Sequence, residues 1–277
     1  MTKRRSTRLD VLVAERTGTS RARARALILE GRVRLEGEPH TKAGELVPAS
    51  AMPDIQGRSR FVGRGGLKLE RALDEFGWSP RGLRCLDVGA STGGFTDCLL
   101  QRGAAEVLSL DVGYGQIAWS LRQDPRVVVV ERTNFRFADP EACGAPFAFV
   151  SSDVSFISLT KLADQFERFL ASDGRLVALI KPQFEAGRNA VSRRGVVRDE
   201  TVHVEAIEKV IDAFARRGIV AQHLTYSPLA GPEGNVEFFL GAAKKGERST
   251  LHVLSVVRRA RAELLERPAS SGSNRSE

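Results

Sequence analysis

The stretch from Arg84 to Asp97, RCLDVGASTGGFTD, constrains the fold of this chain more than any other. Its first residues are mostly apolar, which predicts a buried strand with Asp87 near its end. A turn of small residues runs from Gly89 to Gly94, and the apolar spacing from Phe95 onward predicts a helix. A strand, a glycine-rich turn and a helix start form the ligand cradle of doubly wound α/β folds. The alternative is an ordinary strand–turn–helix connection that holds no ligand.

The spacing of the glycines indicates which ligand the turn would hold. The pattern is GxxxGG, whereas dinucleotides and nucleoside triphosphates are bound by GxGxxG and GxxxxGK[ST] turns. The next expected strand, VLSLDV, contains Asp111 near its end, where a carboxylate can accept hydrogen bonds from ribose hydroxyls. This combination is typical of an S-adenosylmethionine pocket, so we expect that cofactor. The candidate cofactor-binding residues are Gly89, Ala90, Ser91, Thr92, Gly93, Gly94, Phe95 and Asp111.

The strands after the glycine turn recur at the intervals of βαβ units. Further strands are expected at 127–130, 147–153, 175–181, 220–226 and 236–242, mostly with helical stretches between them. This rhythm predicts an α/β fold with a doubly wound, mostly parallel sheet of seven strands. A small α+β unit is expected to precede it.

The positive charge of the chain is concentrated near its N-terminus. The 277 residues carry a formal net charge of +8, and residues 1–62 hold 13 Lys and Arg against 7 Asp and Glu. Such asymmetry favours a polyanionic partner, most simply nucleic acid. A well-solvated basic surface is the alternative. The three cysteines and four histidines do not cluster, so we expect no metal, and no apolar run is long enough to span a membrane. A cytoplasmic protein is therefore expected.

The N-terminal segment predicts two short helices, one beginning at Thr7 and one beginning near Ser20 and ending at Gly31. On the second helix Arg21 and Arg25 are separated by one turn, and like charges at that spacing repel unless an anion lies between them. We therefore expect this helix to face phosphates. Residues 48–62 have the composition of a linker.

The segment RLDVLVAERTGTSRARARALILEGRVRL resembles the alpha-L RNA-binding domain, the type found in ribosomal protein S-four. Members of that class bind structured RNA through two basic helices and a small sheet. The resemblance implies RNA binding by the first domain. The candidate RNA contacts are Arg4, Arg5, Arg8, Arg21, Arg23, Arg25 and Arg64.

Polar residues stand at the ends of three expected strands. Asp153 ends FAFVSSD, Lys181 ends RLVALIK, and Glu237 opens EFFLG. The carboxyl ends of parallel strands line the ligand crevice of an open α/β sheet, and Glu237 would join them if its strand were antiparallel. Lys68, unusually placed among apolar residues, completes a Lys-Asp-Lys-Glu set.

With these residues in view, nearly the whole chain resembles the TlyA family of rRNA 2′-O-methyltransferases, which has also carried the name hemolysin. The matching segments are RGGLKLERAL, LDVGASTGGFTD, SSDVSFISL, IKPQFEAGR, GVVRD and SPLAGPEGNVEFFL. The resemblance implies an FtsJ-like catalytic domain with a seven-stranded, Rossmann-like methyltransferase sheet. Its tetrad falls on Lys68, Asp153, Lys181 and Glu237, with an adenine contact at Asn134. The resemblance also implies methylation of cytidine in the 16S and/or 23S rRNA of ribosomal subunits, and we expect a monomer that needs no metal and does not bind a membrane. The expected domains are 1–47, a linker at 48–62, a catalytic domain at 63–267 and a disordered tail at 268–277.

The expected reaction needs a group that takes the proton of the 2′-hydroxyl, and we assign Lys181 as that base. Asp153 would orient Lys181, while Glu237 would fix Lys68 or the hydroxyl. Alternatively, the tetrad only aligns an in-line transfer. Two other functions stay open at this point: a non-catalytic rRNA-binding assembly factor and a membrane-lytic protein.

Overall fold

A computed structural model describes residues 6–29, 31–55, 60–187, 192, 195–231, 234–247 and 249–265. The chain divides into two compact units, one up to Gly66 and one from Leu67 onward. They are called the small and the large domain below. Arg4, Arg5 and the tail at 268–277 lie outside the described residues.

The described residues of the small domain form two helices and two small sheets. Its elements are β1 (Ser6–Arg8), α1 (Leu9–Thr17), α2 (Arg21–Leu29), β2 (Val33–Leu35), β3 (Glu38–His40), β4 (Leu46–Pro48) and β5 (Pro53–Ile55). Strand β1 pairs with β4, and β2 pairs with both β3 and β5, all antiparallel. The two helices pack their apolar residues around a core that includes Leu12, Val13 and Ile28.

Two sequence-based boundaries in this domain need correction. The first helix begins at Leu9 rather than Thr7, because Thr7 pairs with Val47 as part of β1. The expected linker at 48–62 contains β5, whose residue Asp54 lies opposite Arg34 of β2. A three-residue strand that begins with proline has too short a pattern to be distinguished from a linker by composition.

The large domain is built on one seven-stranded sheet. Its strands are β6 (Arg84–Val88), β7 (Glu106–Leu110), β8 (Val127–Val130), β9 (Phe147–Ser152), β10 (Leu170–Ile180), β11 (Val220–Tyr226) and β12 (Phe238–Ala243). The spatial order is β11-β12-β10-β9-β6-β7-β8. All pairings among strands β6 to β10 are parallel. Strand β12 lies between β10 and β11 and is antiparallel to both. The expected doubly wound, mostly parallel sheet is confirmed.

Helices accompany the strands of this sheet. They are α3 (Gly65–Phe76, which begins just before the domain boundary), α4 (Gly94–Gln101), α5 (Trp119–Arg122), α6 (Ala163–Phe169), α7 (Pro182–Glu185), α8 (Glu200–Ala215) and α9 (Val253–Leu264). Asp199 caps α8 by accepting a hydrogen bond of 2.8 Å from the backbone N–H of Thr201. The aromatic rings of Phe166 and Phe214 meet in the core between sheet and helices.

The core also encloses His203 of α8, which is fully buried with its ring against that of Phe238. Burial, and to a lesser degree the charge of Arg261, lowers the pKa of His203 below its usual 6.5, while Asp199 and Glu200 act in the opposite direction. The unfolded chain therefore binds a proton at His203 more tightly than the folded chain does. Stability due to this residue is complete above pH 6.5 and is lost as the pH falls below that value.

We expect thermal melts to show this effect as a difference between wild type and His203→Leu, a substitution that keeps an apolar side chain of similar size. The melting temperature of the wild type should fall more steeply than that of the variant between pH 7.5 and pH 5.5. Comparing the two proteins cancels other groups, such as Asp87, whose pKa burial raises to about 7. Parallel curves would show that His203 does not titrate in this range.

Candidate active site

The glycine turn joins β6 to α4 at the carboxyl edge of the sheet. Gly89 has a φ of 84°, and a Cβ placed on it would lie 2.7 Å from the backbone oxygen of Asp153. Gly93 has a φ of 95°, and a Cβ there would lie 2.2 Å from a methyl carbon of Leu121. Any side chain at Gly89 would collide with the adjacent backbone, so the close approach requires glycine.

A buried polar network holds this turn from below. Asp87 is fully buried in β6 and accepts hydrogen bonds from Thr96 Oγ1 (2.7 Å) and Ser151 Oγ (3.1 Å). Thr96 in turn lies 2.7 Å from the hydroxyl of Ser109. These hydrogen bonds connect β6 with α4, β7 and β9, so the elements on both sides of the glycine turn are held in a fixed relative position.

Asp111 follows β7 and holds the turn from the side. Its Oδ2 accepts a hydrogen bond from the backbone N–H of Ser91 (2.7 Å), and its Oδ1 accepts one from Gly113 (2.6 Å). A carboxylate has about four acceptor positions, so Asp111 can still accept from a ligand. Asn134 is exposed near the end of the following strand, β8, and its Oδ1 accepts from the N–H of Arg136 (3.0 Å).

A cavity of about 960 Å³ opens at this edge of the sheet. Of the residues expected to bind a cofactor, Gly89, Ser91, Asp111 and Asn134 line it. Ala90 and Phe95 are instead buried, and the ring of Phe95 packs against Phe239 in the core. Thr92 is exposed, but its carbonyl oxygen accepts a hydrogen bond from the N–H of Ala118 (3.0 Å). Gly93 and Gly94 begin α4.

The four polar residues of the expected tetrad form two ion pairs. Lys68 Nζ donates to Glu237 Oε2 at 2.6 Å, and Lys181 Nζ lies 2.6 Å from Asp153 Oδ1. The second contact does not have the angle of a hydrogen bond; Lys181 instead donates to Ser155 Oγ at 2.8 Å. All four tetrad side chains are largely withdrawn from solvent, with 12% of Lys68, 1% of Glu237, 10% of Lys181 and 22% of Asp153 exposed.

The sheet register places these pairs at one edge. Lys181 follows Ile180, which lies opposite Phe238 in the antiparallel β10–β12 ladder, and Glu237 directly precedes Phe238. Glu237 is further confined by Gly231, since a Cβ at Gly231 would lie 2.6 Å from its Oε1. Of the four residues only Asp153 lines the cavity, and Lys181 adjoins that lining through its contacts with Asp153 and Ser155. Two lysines and two carboxylates in such a set can hold a hydroxyl group in place and move its proton.

Comparisons with known proteins show the family of this chain. The family model described as FtsJ-like methyltransferase matches residues 61–244, and that of the S4 domain matches residues 7–52. A protein of Mycobacterium tuberculosis named 16S/23S rRNA (cytidine-2'-O)-methyltransferase TlyA is 43% identical, over 88% of this chain and 92% of that protein. This chain belongs to the TlyA family of FtsJ-like methyltransferases.

Other relatives of the methyltransferase extend the likeness. YqxC of Bacillus subtilis, named as a candidate rRNA methyltransferase, is 45% identical over 87% of this chain and 86% of that protein. A solved structure from Streptococcus thermophilus, named as a candidate hemolysin, superposes with a TM-score of 0.74 at 38% identity. That match covers 94% of this chain and 97% of the other.

The structure also brings residues into the site that the sequence did not single out. Ser155 contacts Lys181, and Phe156 lines the cavity with 91% of its surface exposed and a φ of 64°. A left-handed backbone costs a residue with a side chain about 1–2 kcal/mol, so this conformation must be held by its surroundings. No apolar periodicity marks an exposed aromatic residue in a loop, which is why sequence reasoning missed it.

The basic residues of the small domain divide into two groups. Arg8 donates to both oxygens of Asp10 at 3.0 Å each, and Arg21 donates to Oδ2 of Asp10 at 3.1 Å. Asp10 is fully buried, and these hydrogen bonds, first that from Arg8, lower its pKa to about 2. Arg23 and Arg25 of α2 are exposed, as is Arg64.

This arrangement corrects one inference from the sequence. The repulsion between Arg21 and Arg25 was expected to be relieved by a phosphate of the RNA. Its partner is Asp10, eleven residues earlier on α1, a tertiary contact that helical spacing within α2 cannot reveal. Arg21 therefore contributes to the stability of the small domain, and Arg23 and Arg25 are the better candidates for contacts with RNA.

Proposed function

We propose that this methyltransferase transfers a methyl group from S-adenosylmethionine to the ribose 2′-hydroxyl of cytidine in ribosomal RNA. The observation that carries the proposal is the pair of lysine–carboxylate contacts, Lys68–Glu237 and Lys181–Asp153, of which Asp153 lines the cavity. A hydroxyl is a weak nucleophile, and such a set can orient it and remove its proton. The TlyA relative of M. tuberculosis is named for this reaction on 16S and 23S rRNA.

Two features of the cavity fit S-adenosylmethionine as the cofactor. Gly89 lets the turn pack closely against the backbone of Asp153 in the wall of the cavity, and Asp111 offers acceptor positions at the end of the neighbouring strand. The cofactor supplies a methyl group carried on a positively charged sulfur. In the proposal Gly89 and Ser91 line its binding site, Asp111 accepts from its ribose, and Asn134 lies at its adenine.

The catalytic roles follow from the contacts. Lys181, when its amine is neutral, takes the proton of the 2′-hydroxyl and becomes the ammonium ion that pairs with Asp153; Asp153 and Ser155 hold its nitrogen in place. Lys68, fixed by buried Glu237, holds the nucleotide. The small domain supplies affinity for rRNA through its exposed arginines. Because ribosomal subunits are the substrate in this proposal, the protein acts in the cytoplasm. The proposal also takes the protein to act as a monomer.

The account predicts that Asp111→Ala weakens the binding of S-adenosylmethionine while rRNA binding changes little. Loss of a charge-assisted hydrogen bond costs about 1.5–3 kcal/mol, which corresponds to roughly ten- to a hundredfold in affinity. Isothermal titration calorimetry with the cofactor measures the effect. An unchanged dissociation constant would remove Asp111 from the cofactor site.

A second prediction concerns the exposed arginines of α2. Arg23→Ala combined with Arg25→Ala should weaken binding to ribosomal subunits and reduce the slope of log affinity against log salt by about 0.7–0.9 for each phosphate that is no longer neutralised. Arg216→Ala, at an exposed position at the end of α8, serves as the control and should leave the slope unchanged. Arg21→Ala should instead lower the melting temperature, because buried Asp10 loses a donor. A salt slope equal to that of the wild type would show that this face of α2 points away from RNA.

Transfer of tritiated methyl groups from S-adenosylmethionine to isolated small and large ribosomal subunits tests the proposed function. The expected result is incorporation into rRNA with the wild type and a rate lower by about 10²–10⁴-fold with Lys181→Ala. An assembly factor would bind the subunits without incorporation. A membrane-lytic protein would instead release dye from liposomes, which we do not expect; among the described residues no helix is long and apolar enough to cross a membrane.

A further inference from the structure

The segment that carries Asp153 is attached at both of its ends to the residues that follow β10. At its start, Asp153 and Ser155 contact Lys181. At its end, Ser158 Oγ and the backbone N–H of Leu159 both donate to the carboxylate of Glu185, the N–H at 2.7 Å to Oε1. Between these points Phe156 lies exposed with a positive φ.

Glu185 is buried, with 3% of its surface exposed, although it lines the cavity. Burial raises the pKa of its carboxyl, while the hydrogen bonds from Ser158 and Leu159 and the charge of Lys209 act in the opposite direction. Burying a carboxylate costs free energy unless hydrogen-bond donors compensate for the water it loses. The donors Ser158 and Leu159 provide that compensation for Glu185.

The backbone of Glu185 is itself anchored. Lys209 of α8 donates from Nζ to the carbonyl oxygen of Glu185 at 2.7 Å. Helix α8 packs its apolar side chains, including Ile207 and Val210, into the main core. Through these contacts Glu185 connects the end of the segment 153–158 to helix α8, which is held in place by the core.

We propose that Glu185 is a positioning residue for methyl transfer, whose carboxylate clamps the segment 153–158 so that Asp153 meets Lys181 and Phe156 faces the cavity. This inference rests on the proposed function for its effect on rate. The contacts of Glu185 reach no group that would react, so its role is carried through Asp153 and Lys181.

Two substitutions separate the clamp from simple loss of a buried side chain. Glu185→Ala removes both acceptors and leaves the buried N–H of Leu159 unpaired. Glu185→Gln keeps the clamp, because its amide oxygen accepts from Leu159 and its amide nitrogen donates to Ser158 Oγ. The hydroxyl of Ser158 then donates to Thr160 Oγ1, which lies 2.6 Å away. Val257→Ala, in the fully buried face of α9, is the control for destabilisation alone.

The first measurement is amide hydrogen exchange of the full-length protein over residues 153–160. Glu185→Ala should raise the exchange rate of this segment at least tenfold, whereas Glu185→Gln and Val257→Ala should leave it within threefold of the wild type. Equal exchange in all four proteins would overturn the clamp, whatever the enzyme does with rRNA.

The second measurement is the single-turnover rate with saturating S-adenosylmethionine and ribosomal subunits. Glu185→Ala should lose about ten- to a hundredfold in rate, Glu185→Gln should keep at least half, and Val257→Ala should match the wild type. In a Lys181→Ala background Glu185→Ala should cost less than threefold more, because both act through one arrangement. If the wild type methylates and Glu185→Ala does so equally well, the positioning role is wrong. If the wild type methylates no rRNA, the proposed function fails, while the exchange result still decides on the clamp.

Discussion

Lys181→Ala is expected to slow methyl transfer by about 10²–10⁴-fold, the usual contribution of a positioned acid–base group. The amine of Lys181 contacts Asp153 and Ser155, two residues that line the cavity at the carboxyl edge of the sheet. Because Asp111 and Gly89 are untouched, cofactor affinity should stay within about threefold. Single-turnover kinetics with ribosomal subunits and calorimetry with S-adenosylmethionine measure the two quantities separately.

A matched control is Lys244→Ala, which removes a lysine paired with Glu167 (3.1 Å) just beyond the other end of β12. It should leave the rate unchanged. If Lys181→Ala retains more than about a tenth of the wild-type rate, Lys181 is not the base. The tetrad would then act by aligning the hydroxyl with the methyl group, which was the alternative from the sequence.

Gly89→Ala is expected to abolish detectable cofactor binding and lower stability. A Cβ at this position would lie 2.7 Å from the backbone oxygen of Asp153 and 3.0 Å from its carbonyl carbon. Neither atom can give way as the end of a flexible side chain could, so the turn must separate from β9. The positive φ of 84° adds about 1–2 kcal/mol of strain.

Gly82→Ala is the control for that strain alone. Gly82 has a φ of 71° and no atom within 4 Å of the added Cβ. It should therefore lose stability without losing cofactor affinity, as judged by thermal melts and calorimetry. Comparable cofactor affinity in Gly89→Ala and Gly82→Ala would contradict the close approach at Gly89.

The buried framework was predictable because long apolar runs leave few alternatives. The run that became β6 and the segment Val220–Tyr226 of β11 are strands in the structure, and the glycine turn joins β6 to α4. Glu237 was expected to lie with the other strand-end residues only if β12 were antiparallel, and β12 is antiparallel to β10. A strand that is buried on both faces of a parallel sheet has a nearly continuous run of hydrophobic residues, which can be recognised in the sequence.

Features that depend on contacts between distant segments were not predictable. Arg21 finds its anion on another helix, and β5 is a strand only because β2 lies beside it. Glu185 reads as one more charged residue after a strand, although it is buried and holds Ser158 and Leu159. The spacing of residues along one helix or strand does not indicate which residues of other segments they will contact.

The position of the methyl group on the nucleotide tests the central claim most directly. A 2′-O-methyl group prevents alkaline cleavage of the adjoining phosphodiester, because the 2′-oxygen can no longer attack it. Small and large subunits incubated with S-adenosylmethionine and the wild type should yield rRNA with a new alkali-resistant step after a cytidine, and 2′-O-methylcytidine on nucleoside mass spectrometry. In the same incubation time Lys181→Ala should form each of them in an amount lower by about a hundredfold or more. Methylation found on a base, or on no nucleotide of either subunit, would contradict the account.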